Sequence, residues 1–172
     1  AIDPNLIVDD SGCPYLVFGS FWDGIQLVEL SKDDFRTPKT QPTTIARRSE
    51  RGMNAVEAPF IFHHQDYYYL FVSFDFCCRG KDSNYKTVYG RASKITGPYV
   101  DKSGKEMASG GGTLLYGPDE KHYGIGHPSA YEFDGKCWFV AHAYRKDRNG
   151  MAKLFMRPLA FDADGWIAVP SN

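Results

Sequence analysis

The chain has 172 residues, a formal net charge of -1 at pH 7 and an aromatic content of 15%. Its length suits one domain built round one sizeable core. The charge balance excludes a basic field for nucleic acid and a polybasic membrane patch, and no apolar run approaches the ~20 residues of a membrane-spanning helix.

The first predicted elements are strands at 5–8 and 15–18, joined by the turn Asp9-Asp10-Ser11-Gly12 and followed by strands at 25–30 and 43–46. A second group has strands at 60–62, 68–72, 87–92 and 113–116, with a turn at His64-Gln65-Asp66. A third has strands at 130–133, 138–140 and 153–157, a turn at Asp134-Gly135-Lys136, and a weaker strand at 166–169. Each group is a short strand, a tight polar turn and an aromatic-led strand, which is a β-hairpin signature, with further strands appended. Helical periodicity of useful length is absent.

Four-strand units that recur in this way predict an all-β fold, a β-propeller of three four-stranded blades at about 1–50, 51–116 and 117–172. The competing architecture is an antiparallel sandwich. Propellers have about four to eight blades, so further blades are expected on an N-terminal segment or a second chain, or identical chains close the ring. The start at Ala1, with neither an initiator Met nor a signal peptide, reads as a processed chain or part of one.

In a propeller the first strand of each blade lines the central channel, so equivalent strand starts converge there. Here those starts carry Asp3, Glu57 and His127, each one or two residues before a proline, which suits the opening of a strand. Glu57 sits in Asn54-Ala55-Val56-Glu57-Ala58-Pro59, among small and apolar residues. Apolar surroundings disfavour a charged carboxylate, and a carboxyl kept protonated near neutral pH can hand a proton to a leaving group. At the channel a neutral His127 imidazole can hold a metal or polarise a carboxylate network, and water or the missing blades complete any metal site.

The segment Gly19-Ser20-Phe21-Trp22-Asp23-Gly24 offers two rings and a hydroxyl to a carbohydrate, or simply packs a turn. Arg79, in Phe74-Asp75-Phe76-Cys77-Cys78-Arg79-Gly80, reaches the cleft or pairs with a nearby carboxylate. His63, His64, His122 and His142 read as structural. Cys13 and Cys137 read as buried thiols, and the adjacent pair Cys77-Cys78 would be strained as a disulfide. Arg47-Arg48-Ser49-Glu50-Arg51 reads as a solvated loop. The glycines at 110–112 do not form a P-loop, and no nucleophile elbow is present.

The stretches Ala1-Ile2-Asp3-Pro4, Gly19-Ser20-Phe21-Trp22-Asp23-Gly24-Ile25, Asn54-Ala55-Val56-Glu57-Ala58-Pro59-Phe60, Phe76-Cys77-Cys78-Arg79-Gly80, Ile95-Thr96-Gly97-Pro98-Tyr99, Gly126-His127 and Arg157-Pro158-Leu159 resemble, in order and spacing, the endo-1,5-α-L-arabinanases of glycoside hydrolase family 43. The resemblance implies a five-bladed propeller and an inverting, extracellular or periplasmic hydrolase of internal α-1,5-L-arabinofuranosyl linkages in arabinan. It implies that Glu57 is the general acid, that Asp3 holds and tunes it, that Ser20 and Asn54 contact the sugar, and that His127 lies near a bound calcium ion. Phe21 and Trp22 become candidate stacking rings and Arg79 a further substrate contact. The aspartate acting as general base has no counterpart in residues 1–172, which implies two N-terminal blades outside this chain, on a second chain or a cleaved segment. Pro128 stands where many relatives carry Asn. Alternatives are an exo-acting α-L-arabinofuranosidase or β-xylosidase and a non-catalytic carbohydrate-binding module.

Overall fold

A computed structural model describes residues 2–48 and 53–168. The expectations that involve Ala1, residues 49–51 and Val169 lie outside the described residues. Twelve strands form three antiparallel four-stranded sheets, each in sequential strand order. The first blade holds β1 Asn5–Val8, β2 Pro14–Phe18, β3 Ile25–Glu29 and β4 Thr43–Ala46. The second holds β5 Val56–His64, β6 Tyr67–Phe74, β7 Lys86–Ala92 and β8 Thr113–Tyr116. The third holds β9 His122–Phe133, β10 Lys136–Arg145, β11 Met151–Phe161 and β12 Ile167–Ala168. This is the all-β propeller architecture that the repeat predicts, with three blades present.

The blades stack through two apolar layers. Tyr15, Val17, Ile25 and Leu27 of the first blade pack on Ile61, Leu70, Val72 and Val88 of the second. On the other side of the second blade, Tyr69, Phe71 and Tyr89 meet Ile125, Phe139 and Phe155 of the third. Burial along the strands records this order. β6, in the middle blade, is buried at nearly every position, whereas β11, in an end blade, is exposed at most positions. A strand covered on both faces reads as a continuous apolar run, and one covered on a single face does not.

β1, β5 and β9 are the innermost strands. Asn5 Oδ1 accepts a hydrogen bond from the Ile61 amide at 2.9 Å and Asp3 Oδ2 one from the Ala58 amide at 3.0 Å, so β1 is tied to β5 by side chains. Between these strands lies a cavity of about 470 Å³, lined by Asp3, Ala58, Phe60, His127, Ser129 and Tyr131 among others.

Two strand starts differ from expectation. β9 begins at His122, so His127 lies within a strand rather than at its opening, because residues 122–126 also pair with β10 across register shifts. The structural counterparts across the three blades are Asp3, Ala58 and His127, with φ of 57°, 52° and 57°, each directly before a proline. A residue before proline is steered out of the right-handed helical region, and here all three adopt the left-handed one. Glu57 therefore precedes the matching position by one residue, and a register shift between Glu57 and Phe60 absorbs the irregularity.

Candidate active site

Glu57 is the second residue of β5, directly across from Ser73 of β6. Its carboxylate is half-buried and accepts two hydroxyl hydrogen bonds, from Ser20 Oγ to Oε2 at 2.9 Å and from Tyr85 Oη to Oε1 at 2.6 Å. The setting expected from the sequence was apolar. The neighbours Ala55, Val56 and Ala58 are indeed buried, with Val56 in the core between the first two blades, but the carboxylate itself meets polar groups. None of the ion pairs among the described residues involves Glu57 or Asp3.

Ser20 reaches Glu57 because the end of β2 crosses to the second blade. Ser20 and Glu57 form an antiparallel bridge, and the Phe21 amide donates to the Val56 carbonyl at 2.8 Å. Phe21 and Trp22 then take φ of 57° and 44°, which turns the chain sharply. The Phe21 ring lies 6.2 Å from the Phe76 ring, and the Arg79 guanidinium sits 4.0 Å above the Phe76 ring. Trp22 is 90% exposed and free to stack on a ligand. Asn54 is occupied in holding this loop: its Nδ2 donates to the Trp22 carbonyl at 2.9 Å and its Oδ1 accepts from the Arg48 amide at 2.8 Å.

Tyr85 is fully buried. Its seat is made by glycines of β9: a Cβ at Gly126 would fall 2.3 Å from Tyr85 Cδ1, and one at Gly124 2.7 Å from the Tyr85 amide nitrogen. Burial, then the hydrogen bond to Glu57, push the Tyr85 phenol far above its ordinary range, so it stays a neutral donor. The Cys77 thiol is pushed up to about 12, by burial first and then by its neighbours Cys78 and Glu57. All four cysteines are free thiols. Cys137 is buried, in line with the sequence reading, whereas Cys13 is only half-buried.

Asp3 and His127 line the cavity between the innermost strands. Asp3 acts on the Ala58 amide, the residue next to Glu57, and so steadies the strand that carries Glu57. His127 is linked to Glu57 through Ser73, whose Oγ accepts the His127 amide at 2.8 Å. His142, read from the sequence as structural, lies beside these groups. Its ring stacks at 5.7 Å on Tyr85 and lies 6.2 Å from His127, and its Nε2 is 3.1 Å from the Tyr144 hydroxyl. Burial, then the neighbouring His127, hold its pKa below the ordinary value, against an opposing pull from Glu57.

Tyr85 escaped the sequence reading because it belongs to no short motif, and for the same reason the position of His142 beside it was not legible. The available signal was Gly124-Ile125-Gly126, a strand whose two glycines leave room for a large ring. Calcium takes six to eight oxygen ligands. His127 offers one imidazole nitrogen, and among the described residues it joins no cluster of three metal-ligating side chains. Among the described residues, His, Cys, Asp and Glu side chains alone do not make a calcium shell there.

Comparison with known proteins places this geometry in context. Residues 1–167 match the family described as Glycosyl hydrolases family 43. The chain is 45% identical over 96% of its length to an extracellular endo-α-(1→5)-L-arabinanase of Bacillus subtilis, covering 50% of that protein. It superposes on an exo-1,5-α-L-arabinanase from a bovine ruminal metagenomic library with a TM-score of 0.97 at 56% identity, covering 100% of this chain and 58% of the other. It superposes on a Cellvibrio cellulosa α-L-arabinanase complexed with arabinohexaose with a TM-score of 0.91 at 42% identity, covering 99% of this chain and 57% of the other. The chain spans about half the length of the curated relatives it matches, and three blades of five correspond to the share of the solved structures it covers. On these matches the chain belongs to glycosyl hydrolases family 43.

Proposed function

We propose that this chain forms part of a secreted arabinanase that hydrolyses α-1,5-linked arabinan, with Glu57 as the general acid. The observation that carries the proposal is the hydroxyl pair on Glu57. A hydroxyl can donate or accept, so Ser20 and Tyr85 can follow the carboxyl through both of its protonation states. A cation in their place would favour the charged state alone. Names of relatives, endo-arabinanase and exo-arabinanase alike, support the substrate, and the B. subtilis relative is named extracellular.

In the proposed mechanism Glu57 protonates the departing glycosidic oxygen while a second carboxylate activates water on the opposite face of the sugar. The two carboxyl groups of an inverting enzyme stand roughly 6.5–9.5 Å apart. Asp3 holds the Ala58 amide and positions the strand. The general base is assigned to blades outside these residues, carried by a second chain or an adjoining segment that closes the ring. Trp22 and Phe21 stack on arabinofuranose, with Arg79 at the rim, while Ser20 and Asn54 border the sugar. Calcium is assigned to the channel beside His127, held mainly by water and groups from the other blades, and a chelation titration followed by bound-metal analysis tests that assignment.

Endo action is the proposed mode. Exo action is the second reading, favoured by the name of the relative at 56% identity. Linear arabinan digestion by the assembled enzyme tests all of this: oligosaccharides appear early under endo cleavage and monomer under exo cleavage. Glu57→Gln is expected to lower turnover by about 100-fold or more. Full activity in that variant would overturn the assignment of the acid, and binding without products in the unaltered enzyme would favour a carbohydrate-binding module.

A further inference from the structure

Glu57 and His64 lie at opposite ends of β5, roughly 23 Å apart at about 3.3 Å per strand residue. At the His64 end the second and third blades meet through side chains with no part in the proposed reaction. His64 Nδ1 is 3.6 Å from Cys137 Sγ and 3.7 Å from Glu132 Oε2, and Glu132 and Cys137 are direct cross-strand partners in β9 and β10. The three donor atoms all lie within 4.8 Å of one another.

Glu132 Oε2, at 3.7 Å from Nδ1, is too far for a direct hydrogen bond. A cation between the three atoms can take all of them as ligands. The two edges at His64, 3.6 and 3.7 Å, also suit it: zinc bonds of about 2.0 Å to nitrogen and oxygen and about 2.3 Å to sulfur imply ligand separations of about 3.3–3.6 Å in a tetrahedron. The ring is already oriented, stacked on Phe161 at a centroid distance of 4.3 Å. Cys137 is buried while Glu132 is exposed, so a cation can enter from the solvent side.

We propose that His64, Glu132 and Cys137 form a binding site for a borderline divalent cation such as zinc, which clips the second blade to the third on the face opposite Glu57. One thiolate, one imidazole and one carboxylate leave a fourth position for water. A hard ion such as calcium is a poor match for the thiolate.

Cobalt(II) titration of the purified chain under reducing conditions tests the site. Cys77 and Cys78 are a second pair of thiols, so the informative background is the Cys77→Ser/Cys78→Ser variant. There the proposal expects one cobalt per chain, a thiolate-to-cobalt charge-transfer band, tetrahedral ligand-field intensity, and displacement by zinc. Adding Cys137→Ser abolishes the band, and Glu132→Gln, a change at an exposed side chain, weakens zinc binding by about tenfold or more, a loss at least as large as that from a ligand's outer partner. No charge-transfer band in the Cys77→Ser/Cys78→Ser background, or a band that survives Cys137→Ser, overturns the proposal. So does unchanged zinc affinity in Glu132→Gln, which covers the case in which the cysteine variant fails to fold.

Discussion

Glu57 works, in the proposed reaction, with Tyr85, whose hydroxyl meets Oε1 at 2.6 Å from a fully buried ring. A hydrogen bond to a charged group is worth about 1.5–3 kcal/mol, which corresponds to roughly 10–100-fold in rate. Tyr85→Phe keeps the ring and removes that bond. It is expected to lower kcat of the assembled enzyme by about that factor with KM much less affected, since the hydroxyl touches the acid and not the sugar; an unchanged kcat would remove Tyr85 from the proposed machinery. At this scale the sequence was informative where a residue sits in a short motif. Glu57 and Ser20 come from two separate motifs, and the structure joins them by a hydrogen bond. Tyr85 and His142 were illegible because burial and ring stacking make their roles, and neither leaves a local pattern. Asn54 shows the converse: it belongs to a motif, yet both ends of its amide are spent on backbone groups.

The elements that carry these residues fix their aim. β9 contributes glycines at 124 and 126 so that Tyr85 can lie against it. Gly126→Ala would set a methyl 2.3 Å from Tyr85 Cδ1, and overpacking of this kind costs about 1–3 kcal/mol. The expected outcome is a loss of activity similar to that of Tyr85→Phe together with a lower melting temperature, and activity without a thermal shift would contradict the packing. The loop after β6 is anchored by Asp75, whose carboxylate meets Arg48 at 2.8 Å and Lys86 at 2.7 Å. Burial alone would raise its pKa, but the bonds and charges from Arg48 and Lys86 outweigh it and the net shift is downward. A carboxyl with a depressed folded-state pKa contributes stability above its unfolded value, near 3.9, and that stability disappears as pH falls through the folded value. Asp75→Asn is therefore expected to lose about 1–3 kcal/mol at pH 7 and progressively less below pH 4. Thermal melts of both proteins from pH 3 to 7 check this. Hairpins and turns were legible because alternation and turn residues are local. The left-handed residue before Pro4, Pro59 and Pro128 was not, and it moves Glu57 one place off the repeat it was aligned to.

Across the whole molecule, the middle blade is covered on both faces and the end blades on one. Cross-strand register lines up Tyr131, Trp138 and Pro158, and beside them Val140 with Met156. Leu154, at 72% exposure, and Met156 extend this apolar face into solvent, and in the first blade Leu6, Val8 and Leu16 form another open surface. The three-blade count was legible from the repeat, whereas the depth of these faces follows only from how the sheets stack. In the proposed closed ring the remaining blades cover both surfaces. Burying a side chain of this size contributes about 1.5–3 kcal/mol, so placing charges at two such positions weakens ring closure by several kcal/mol, a loss of roughly 100-fold or more in affinity. An exposed substitution changes the stability of the chain itself by only about 0.5 kcal/mol. Leu154→Lys/Met156→Lys should therefore melt like the unaltered chain when isolated, and fail to co-elute with a co-expressed segment carrying the other two blades. Undiminished co-elution would mean that the ring closes through some other surface, and the open face of the third blade would then need a different occupant.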